Sequence, residues 1–395
     1  MRVEEFGPDS PGMLVPISGE SIRYGRWEHV AFVPAALPLE SPALSASTFN
    51  AVADARAAVA ALDSSARRLP NPALLRRPVL RREAQSTSAL EGTYAPLPVV
   101  LAADEREDQT DAGLREVINY VRAAEHAFAW HGEGRPFGMT LLTELHAALV
   151  RGTSVDGDQT GRLRSNQVMV GGDPGMRVQD ARFVPRPPGP ELEQQVRTWI
   201  DWFTRSRDAD IDPVVAAGMS HYHFETLHPF HDGNGRIGRL LIVLQLLYAG
   251  VLVEPTLTVS PWFEARRADY YDALMAVSTR ADWDGWIRFF ARGVAAAARD
   301  TEQRLVELLA VQDDLKRRVR AGGLRADNAT LLVDFALGRP IFTVRQVQEQ
   351  LGVTYTRANG LVGQLVELGV LRRYDESAYA REFTAPDIVA ILLRA

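Results

Sequence analysis

A twelve-residue run, His228-Pro229-Phe230-His231-Asp232-Gly233-Asn234-Gly235-Arg236-Ile237-Gly238-Arg239, constrains this chain more than any other stretch. It ends directly at an apolar run, 240–247. A helix with no polar face is a buried one, so the twelve residues read as a loop that becomes the N-terminus of a core helix. The first N–H groups of a helix have no partner inside it, and together with the helix dipole they make an anion site. Gly233 and Gly235 let the backbone come close to a phosphate. Arg236 and Arg239 can fork onto phosphate oxygens. Asp232 is a hard oxygen ligand of the kind that holds Mg²⁺ beside substrate phosphates. His228 is left as the group able to take a proton near neutral pH. The spacing alone describes a nucleotide-phosphate site with a general base.

Composition narrows the class. A chain of 395 residues is long enough for two or three domains, each with its own core. Hydrophobic residues make up 46% and charged residues 24%, the balance of an ordinary globular protein. A net charge of −6 gives no global attraction to nucleic acid or anionic membrane. Cysteine is absent, which excludes disulfides, thiolate-bound zinc and a Cys nucleophile, and fits a reducing, cytoplasmic compartment. The opening MRVEEFGPDS lacks the apolar core of a secretion signal. The apolar stretch 240–253 is broken by Gln245 and Gly250 and is too short to span a bilayer, so no membrane partner is expected. The single lysine, Lys316, stands far from any glycine-rich loop. Walker A loops and protein kinases both place a lysine on the phosphates. Neither can be built here, and arginines must do the steering.

The twelve residues fill every fixed position of His-x-Phe-x-Asp/Glu-Gly-Asn-Gly-Arg-x-x-Arg and so resemble the signature of the Fic family. The resemblance implies transfer of AMP from ATP to a hydroxyl of a target protein or of the chain itself. It implies His228 as the base, Asp232 as the Mg²⁺ ligand, and Gly233, Asn234 and Gly235 as the anion hole, with Phe230 counted among the nucleotide-binding residues. Arg236 would hold the β-phosphate and Arg239 would steer the γ-phosphate. A second stretch, Thr87-Ser88-Ala89-Leu90-Glu91-Gly92, resembles the family's inhibitory motif, Ser/Thr-x-x-x-Glu-Gly/Asn. It closes a helix expected over about 74–91, stopped by Gly92 as a C′ residue, with Thr87 and Glu91 on one face. By resemblance Glu91 pairs with Arg239 where the γ-phosphate must lie. A cation there would also offset the unfavourable dipole at a helix C-terminus.

Around these two stretches the pattern is mainly α. Residues 1–45 read as an irregular arm, with Trp27 and the run 31–38 able to pack on a core. Helices are expected at 46–68, 110–131, 139–152, 191–206, 213–226, 235–249, 263–278 and 284–300. Segments 166–170 and 181–185 read as a hairpin, whose exposed edge suits docking of an extended peptide. The family resemblance makes it a flap for the target, with Val168 and Val170 on its strand and Gly161 and Arg162 set against a Gly-x-x-Arg pattern. Tyr270 and Tyr271 fall where the family has paired tyrosines beside adenine, although aromatic residues at helical spacing also read as core. A polar helix from Asp300 leads to Ala321-Gly322-Gly323, a linker. Beyond it, helices at 343–352 and 357–368 with strands at 369–374 and 381–384 resemble a winged helix-turn-helix. Its second helix offers Arg357, Asn359 and Gln364, but the wing tip, Asp375-Glu376-Ser377, is acidic. Protein docking or a homodimer is therefore favoured over DNA.

The expected division is 1–105 for the arm and inhibitory helices, 106–300 for a Fic catalytic core, 301–323 for a linker helix and 324–395 for the winged helix. Three rivals stand beside the adenylyltransferase reading. One is a Fic-fold de-AMPylase in which Glu91 positions water, and another is a nucleotide-sensing DNA-binding regulator. The third is a metal hydrolase built on His221, His223, His228, His231 and Asp232. Helical geometry opposes that last one, since His221 and His223 point about 200° apart.

Overall fold

The computed structural model describes residues 1–21, 23–67, 72–104, 109–171, 176–324, 327–374 and 381–394. The chain opens with β1 (Gly12–Ser21) and β2 (Gly25–Pro34). Then come α1 (Ala46–Arg67), α2 (Pro72–Leu90), α3 (Leu97–Ala102), α4 (Ala112–Gly132), α5 (Met139–Val150), α6 (Pro190–Arg205), α7 (Pro213–Leu227) and α8 (Asn234–Tyr248). They are followed by α9 (Ser260–Glu264), α10 (Arg267–Arg280), α11 (Trp283–Ala321) and α12 (Asp327–Gly338). The last group is β3 (Ile341–Thr343), α13 (Val344–Leu351), α14 (Tyr355–Glu367), β4 (Arg372–Arg373), β5 (Glu382–Thr384) and α15 (Pro386–Leu393). Among the described residues the fold is mainly helical, as the periodicity predicts, and carries two small sheets. Contacts group the chain into one unit of Met1–Val59, Arg122–Pro255 and Trp262–Ala296, and another of Ala60–Val121, Thr256–Pro261 and Ala297–Ala395. Among the described residues no helix is long and apolar enough to cross a membrane.

In the first unit, the expected irregular arm is instead an antiparallel hairpin, paired from Gly12 with Pro34 to Ser21 with Gly25. Pro16 and Gly19 hide it in the sequence. Proline is tolerated because a two-stranded ribbon leaves edges open. Gly19 lies under the indole of Trp27, its cross-strand partner, where any side chain would collide. Ala31 and Phe32 bury themselves with Val178, Phe183 and Val184. The heart of this unit is the α7–α8 pair. Asp212 caps α7 by accepting the Val214 N–H at 2.8 Å, with Pro213 in the first turn. Every residue of α8 from Asn234 to Leu247 is buried, so the prediction of a core helix holds.

Three expectations are corrected here. The helix expected at 263–278 is two, α9 and α10, because the backbone leaves the helical region at Arg266. The helices expected at 284–300 and beyond Asp300 are one, α11, of 39 residues. Ion pairs at i,i+4, Asp300 with Arg304 and Asp314 with Arg318, carry it through the polar stretch. The expected hairpin of 166–170 with 181–185 shrinks to one antiparallel bridge, Val170 with Phe183. The next peptide group bonds elsewhere, with the Val184 carbonyl accepting the Phe32 N–H of β2 at 2.9 Å.

In the second unit, α2 packs on α12 closely enough that a side chain at Gly338 would press on the Leu74 carbonyl. Buried Arg81 of α2 donates to the carbonyls of Val100, Leu101 and Ala103, satisfying the C-terminus of α3. Strands β3, β5 and β4 form an antiparallel sheet in that order. α13 opens with a reciprocal capping box between Thr343 and Gln346 and ends at Gly352, φ 62°. α14 starts two residues earlier than expected, capped by Thr354. The expected wing tip, 375–377, lies outside the described residues.

Candidate active site

α7 terminates at His228, which takes φ 47° and ψ 59°. A non-glycine residue in this left-handed region costs on the order of 1–3 kcal/mol and persists only where its surroundings enforce it. Arg164 does so. Its Nε donates to the His228 carbonyl at 2.8 Å, one terminal nitrogen donates to the Arg186 carbonyl at 2.6 Å, and its own N–H donates to Pro229 at 2.9 Å. Arg164 is 2% exposed. Burial first, and the Arg186 charge second, pull its pKa down to about 10, so it stays charged at neutral pH. The His228 Nδ1 lies 3.3 Å from the Glu225 carbonyl. A carbonyl only accepts, so that contact places the proton on Nδ1 and the lone pair on Nε2, the tautomer of a base.

Across the loop, Asn234 turns its amide inward. Its Oδ1 accepts the Phe230 N–H and its Nδ2 donates to the Phe230 carbonyl, both at 2.9 Å. Its side chain therefore closes the loop rather than lining an anion hole. Gly233 takes φ 78°, and a Cβ there would sit 2.7 Å from Leu149 Cδ2, so glycine is required twice over. A side chain at Gly238 would run into the Glu225 carboxylate. Asp232, half exposed, accepts from Arg236 at 3.1 Å, while Arg236 and Arg239 are both buried in α8. One accessible carboxylate beside a helix N-terminus fits Mg²⁺ held jointly with phosphates.

The structure moves several expected contributors. Phe230 is fully buried and stacks on His146, 4.2 Å between ring centres, so it anchors the loop from beneath. Tyr270 is 0% exposed and its hydroxyl bonds His221 Nε2 at 2.7 Å, which makes it core. Tyr271 lines a cavity of about 70 Å³ with Val170, Phe183, Glu225, Thr226 and Met275. Val168 is buried. Arg162 is exposed, and the arginine that turns inward is Arg164, which completes Gly161-x-x-Arg at the right spacing. That spacing was the signal for Arg164 in the sequence. Glu225 and His146 had none. In the second unit, Thr87 is buried in α2, while exposed Glu91 and Gly92, φ 91°, follow its end.

His221 uses both ring nitrogens. Nδ1 donates to the Gly238 carbonyl at 3.1 Å and Nε2 accepts from Tyr270. Burial, with the Arg239 charge second, holds its pKa down to about 3, and burial holds that of His223 down to about 4. These are neutral core histidines. Both rings are buried, and among the described residues no group of three or more His, Cys, Asp or Glu could hold a metal ion. They also set an acid limit. Folded pKa values lie below the unfolded 6.5, so their contribution is present above pH 6.5 and is lost as pH falls toward 4. Each should cost about 1.4 kcal/mol per pH unit in that window. Urea midpoints should fall from pH 7 to pH 5, and a flat profile would contradict the burial.

Residues 49–129 match the Fic/DOC family N-terminal region, and residues 136–246 match the Fic/DOC family itself. Those two stretches are Fic-family sequence. The chain is 30% identical over 175 residues to "Protein adenylyltransferase fic-1" of Caenorhabditis elegans, covering 44% of this chain and 29% of that one. It is 36% identical over 135 residues to "Protein adenylyltransferase Fic" of Nematostella vectensis, covering 34% and 27%. The matched stretch thus spans under a third of each of these curated relatives. The crystal structure of a Fic family protein from Desulfovibrio desulfuricans G20 superposes with a TM-score of 0.55 over 87% of this chain and 97% of that one, at 22% identity, a likeness of fold. The Fic match 136–246 runs from just before α5 almost to the end of α8 and holds the whole His228–Arg239 loop.

Proposed function

We propose that this chain transfers AMP from ATP to a Ser, Thr or Tyr hydroxyl of a target protein, and that Glu91 restrains it. The observation that carries the reading is the contact of His228 Nδ1 with the Glu225 carbonyl at the loop that opens α8, which makes Nε2 the basic nitrogen of a neutral ring. The target hydroxyl gives its proton to Nε2 as its oxygen bonds the α-phosphorus. The bond from that phosphorus to the β-phosphate bridge breaks, and pyrophosphate leaves. Arg236 and Arg239 orient the β- and γ-phosphates, and the N–H groups at the start of α8 take up phosphate charge. Mg²⁺, held by Asp232, would neutralise charge on the phosphates. Such transfer is mainly positioning, so the frame matters as much as the base. The printed names of the curated relatives support this donor chemistry, and the 70 Å³ cavity beside Tyr271 and Val170 is where the reading seats the adenine edge.

For the restraint, the support is the Thr87–Gly92 motif at the end of α2, with Glu91 taken to pair with Arg239 in place of the γ-phosphate. For residues 324–395, the order α12-β3-α13-α14-β4-β5 and the β3-β5-β4 sheet support a winged helix. Exposed Arg357, Asn359 and Gln364 on α14, with Arg372 and Arg373 on β4, form its candidate docking face.

The deciding experiment is self-labelling with α-labelled ATP and Mg²⁺ by the parent, Glu91→Gly, and Glu91→Gly with His228→Ala. Strong label in the single variant alone supports the reading. Silence in all three overturns it in favour of AMP removal or nucleotide sensing. Arg164→Lys keeps the charge but replaces the fork with one nitrogen. In the Glu91→Gly background it should lower the labelling rate about tenfold with ATP affinity little changed, and an unaltered rate would remove Arg164 from the frame.

A further inference from the structure

We propose that the C-terminal segment, α12 to α15, mounts the Glu91 restraint and sets how firmly it is held. The inference rests on the reading of Glu91 as the restraint. The Thr87–Gly92 motif lies in the same compact unit as residues 297–395, while the catalytic loop belongs to the other unit. Within its unit the motif is fastened to the C-terminal segment on both sides.

Before the motif, α2 is held at two points. Near its start it runs so close to α12 that a Cβ at Gly338 would come within 3.1 Å of the Leu74 carbonyl. Further along, Arg82 donates to Asp300 Oδ2 at 2.9 Å, and Arg304 donates to the same oxygen at 2.9 Å. The terminal nitrogens of Arg304 reach on to the carbonyls of Ile391 and Arg394, at 2.6 and 2.8 Å, and so satisfy the end of α15. One carboxylate on α11 thus ties the restraint helix to the last helix of the chain.

After the motif, the chain runs through α3 to Asp104, which is 8% exposed. Its Oδ2 accepts from Arg339, just past α12, at 3.2 Å, and from Gln346 of α13 at 3.3 Å. Gln346 also closes the capping box of α13, its Oε1 accepting the Thr343 N–H at 3.0 Å. Arg339 is itself buried, and a buried ion pair is costly to leave half made. A shift of α12 or of the start of α13 therefore draws Asp104 with it. Connected polar contacts of this kind are what carry coupling between separate parts of a protein.

The two fastenings can be cut separately. Asp300→Asn weakens the link from Arg82 to Arg304. Asp104→Asn with Arg339→Met removes the other link without leaving an unpaired buried charge. Self-labelling with α-labelled ATP and Mg²⁺ is read for each change in the parent and in Glu91→Gly. Expected in the parent is a rise of about fivefold or more for each. In the Glu91→Gly background each should change the rate by less than about twofold, because the restraint is already gone. Amide exchange over residues 87–104 should quicken in both, with residues 228–239 exchanging as in the parent, which general unfolding would not produce. If the double change at 104 and 339 does not fold, Asp300→Asn decides. Parental labelling in a folded variant, with Glu91→Gly active, overturns the mount and leaves the restraint standing. A rise of equal size in the Glu91→Gly background overturns it too, since that effect does not pass through Glu91. If Glu91→Gly itself brings no rise, the restraint reading fails, and this inference with it.

Discussion

His228→Ala, made in the Glu91→Gly background, is expected to lower transfer from α-labelled ATP by about 10²–10⁴-fold, the usual worth of a general base. ATP affinity should stay within about threefold of the background value, because the groups expected to hold the phosphates come from α8 and not from residue 228. The split matters more than the loss. Alanine at 228 also has to adopt φ 47°, which for a residue with Cβ costs about 1–2 kcal/mol. A variant that simply collapsed the loop would lose ATP affinity along with rate. His228→Asn separates the two effects, since asparagine tolerates the left-handed region and cannot act as a base. It should be as inactive as the alanine variant and melt nearer the parent. Transfer retained by either variant would remove His228 from its role.

Glu91→Gly is expected to raise self-labelling by more than about tenfold, a barrier change of roughly 1.4 kcal/mol or more. The rise should appear in the labelling rate and not in folding stability, because Glu91 is exposed and lies beyond the last turn of α2. α2 itself is fixed within its unit by the Arg82–Asp300 ion pair and by Glu83, whose carboxylate accepts from the N–H and hydroxyl of Ser260. Removing the terminal carboxylate therefore leaves the helix in place. Arg239→Ala added to Glu91→Gly should return labelling toward the parental level, since the same arginine is needed to orient ATP. A fully active double variant would separate the restraint from Arg239. No rise in the single variant would mean that Glu91 is not the restraint.

The sequence reading was strongest where local chemistry and long-range packing agree. α8 was legible because an apolar run has one physical outcome, burial, and because Gly233 and Gly235 mark its start. α2 was legible from its glycine stop. The hairpin at 12–34 was not, because Gly19 counts against a strand until Trp27 is known to lie across it. The helix break at Arg266 has no glycine or proline to announce it. The expected flap strands were over-read, because they pair with each other only around Val170 and Phe183 before the Val184 carbonyl turns to β2. In the site, the motif named the groups that face a ligand and was silent on those behind them. A buried arginine bonding backbone carbonyls and a buried histidine accepting the Gly161 N–H leave no periodic trace. Tyr270 and Phe230 were misplaced for the opposite reason, because a ring beside a motif reads the same whether it faces a ligand or the core.

The contacts at Gly233 and Gly238 bear on how the loop could be carried to another scaffold. Gly233 abuts Leu149 of α5, and Gly238 abuts Glu225 of α7. The internal bonds of the twelve residues therefore do not fix their shape alone, since two of their glycines are moulded by neighbours as far as 84 positions upstream of Gly233 in the chain. A graft of the loop alone should arrive misshapen in any host. An engineer borrowing this chemistry would have to move α5 and α7 along with the loop and α8.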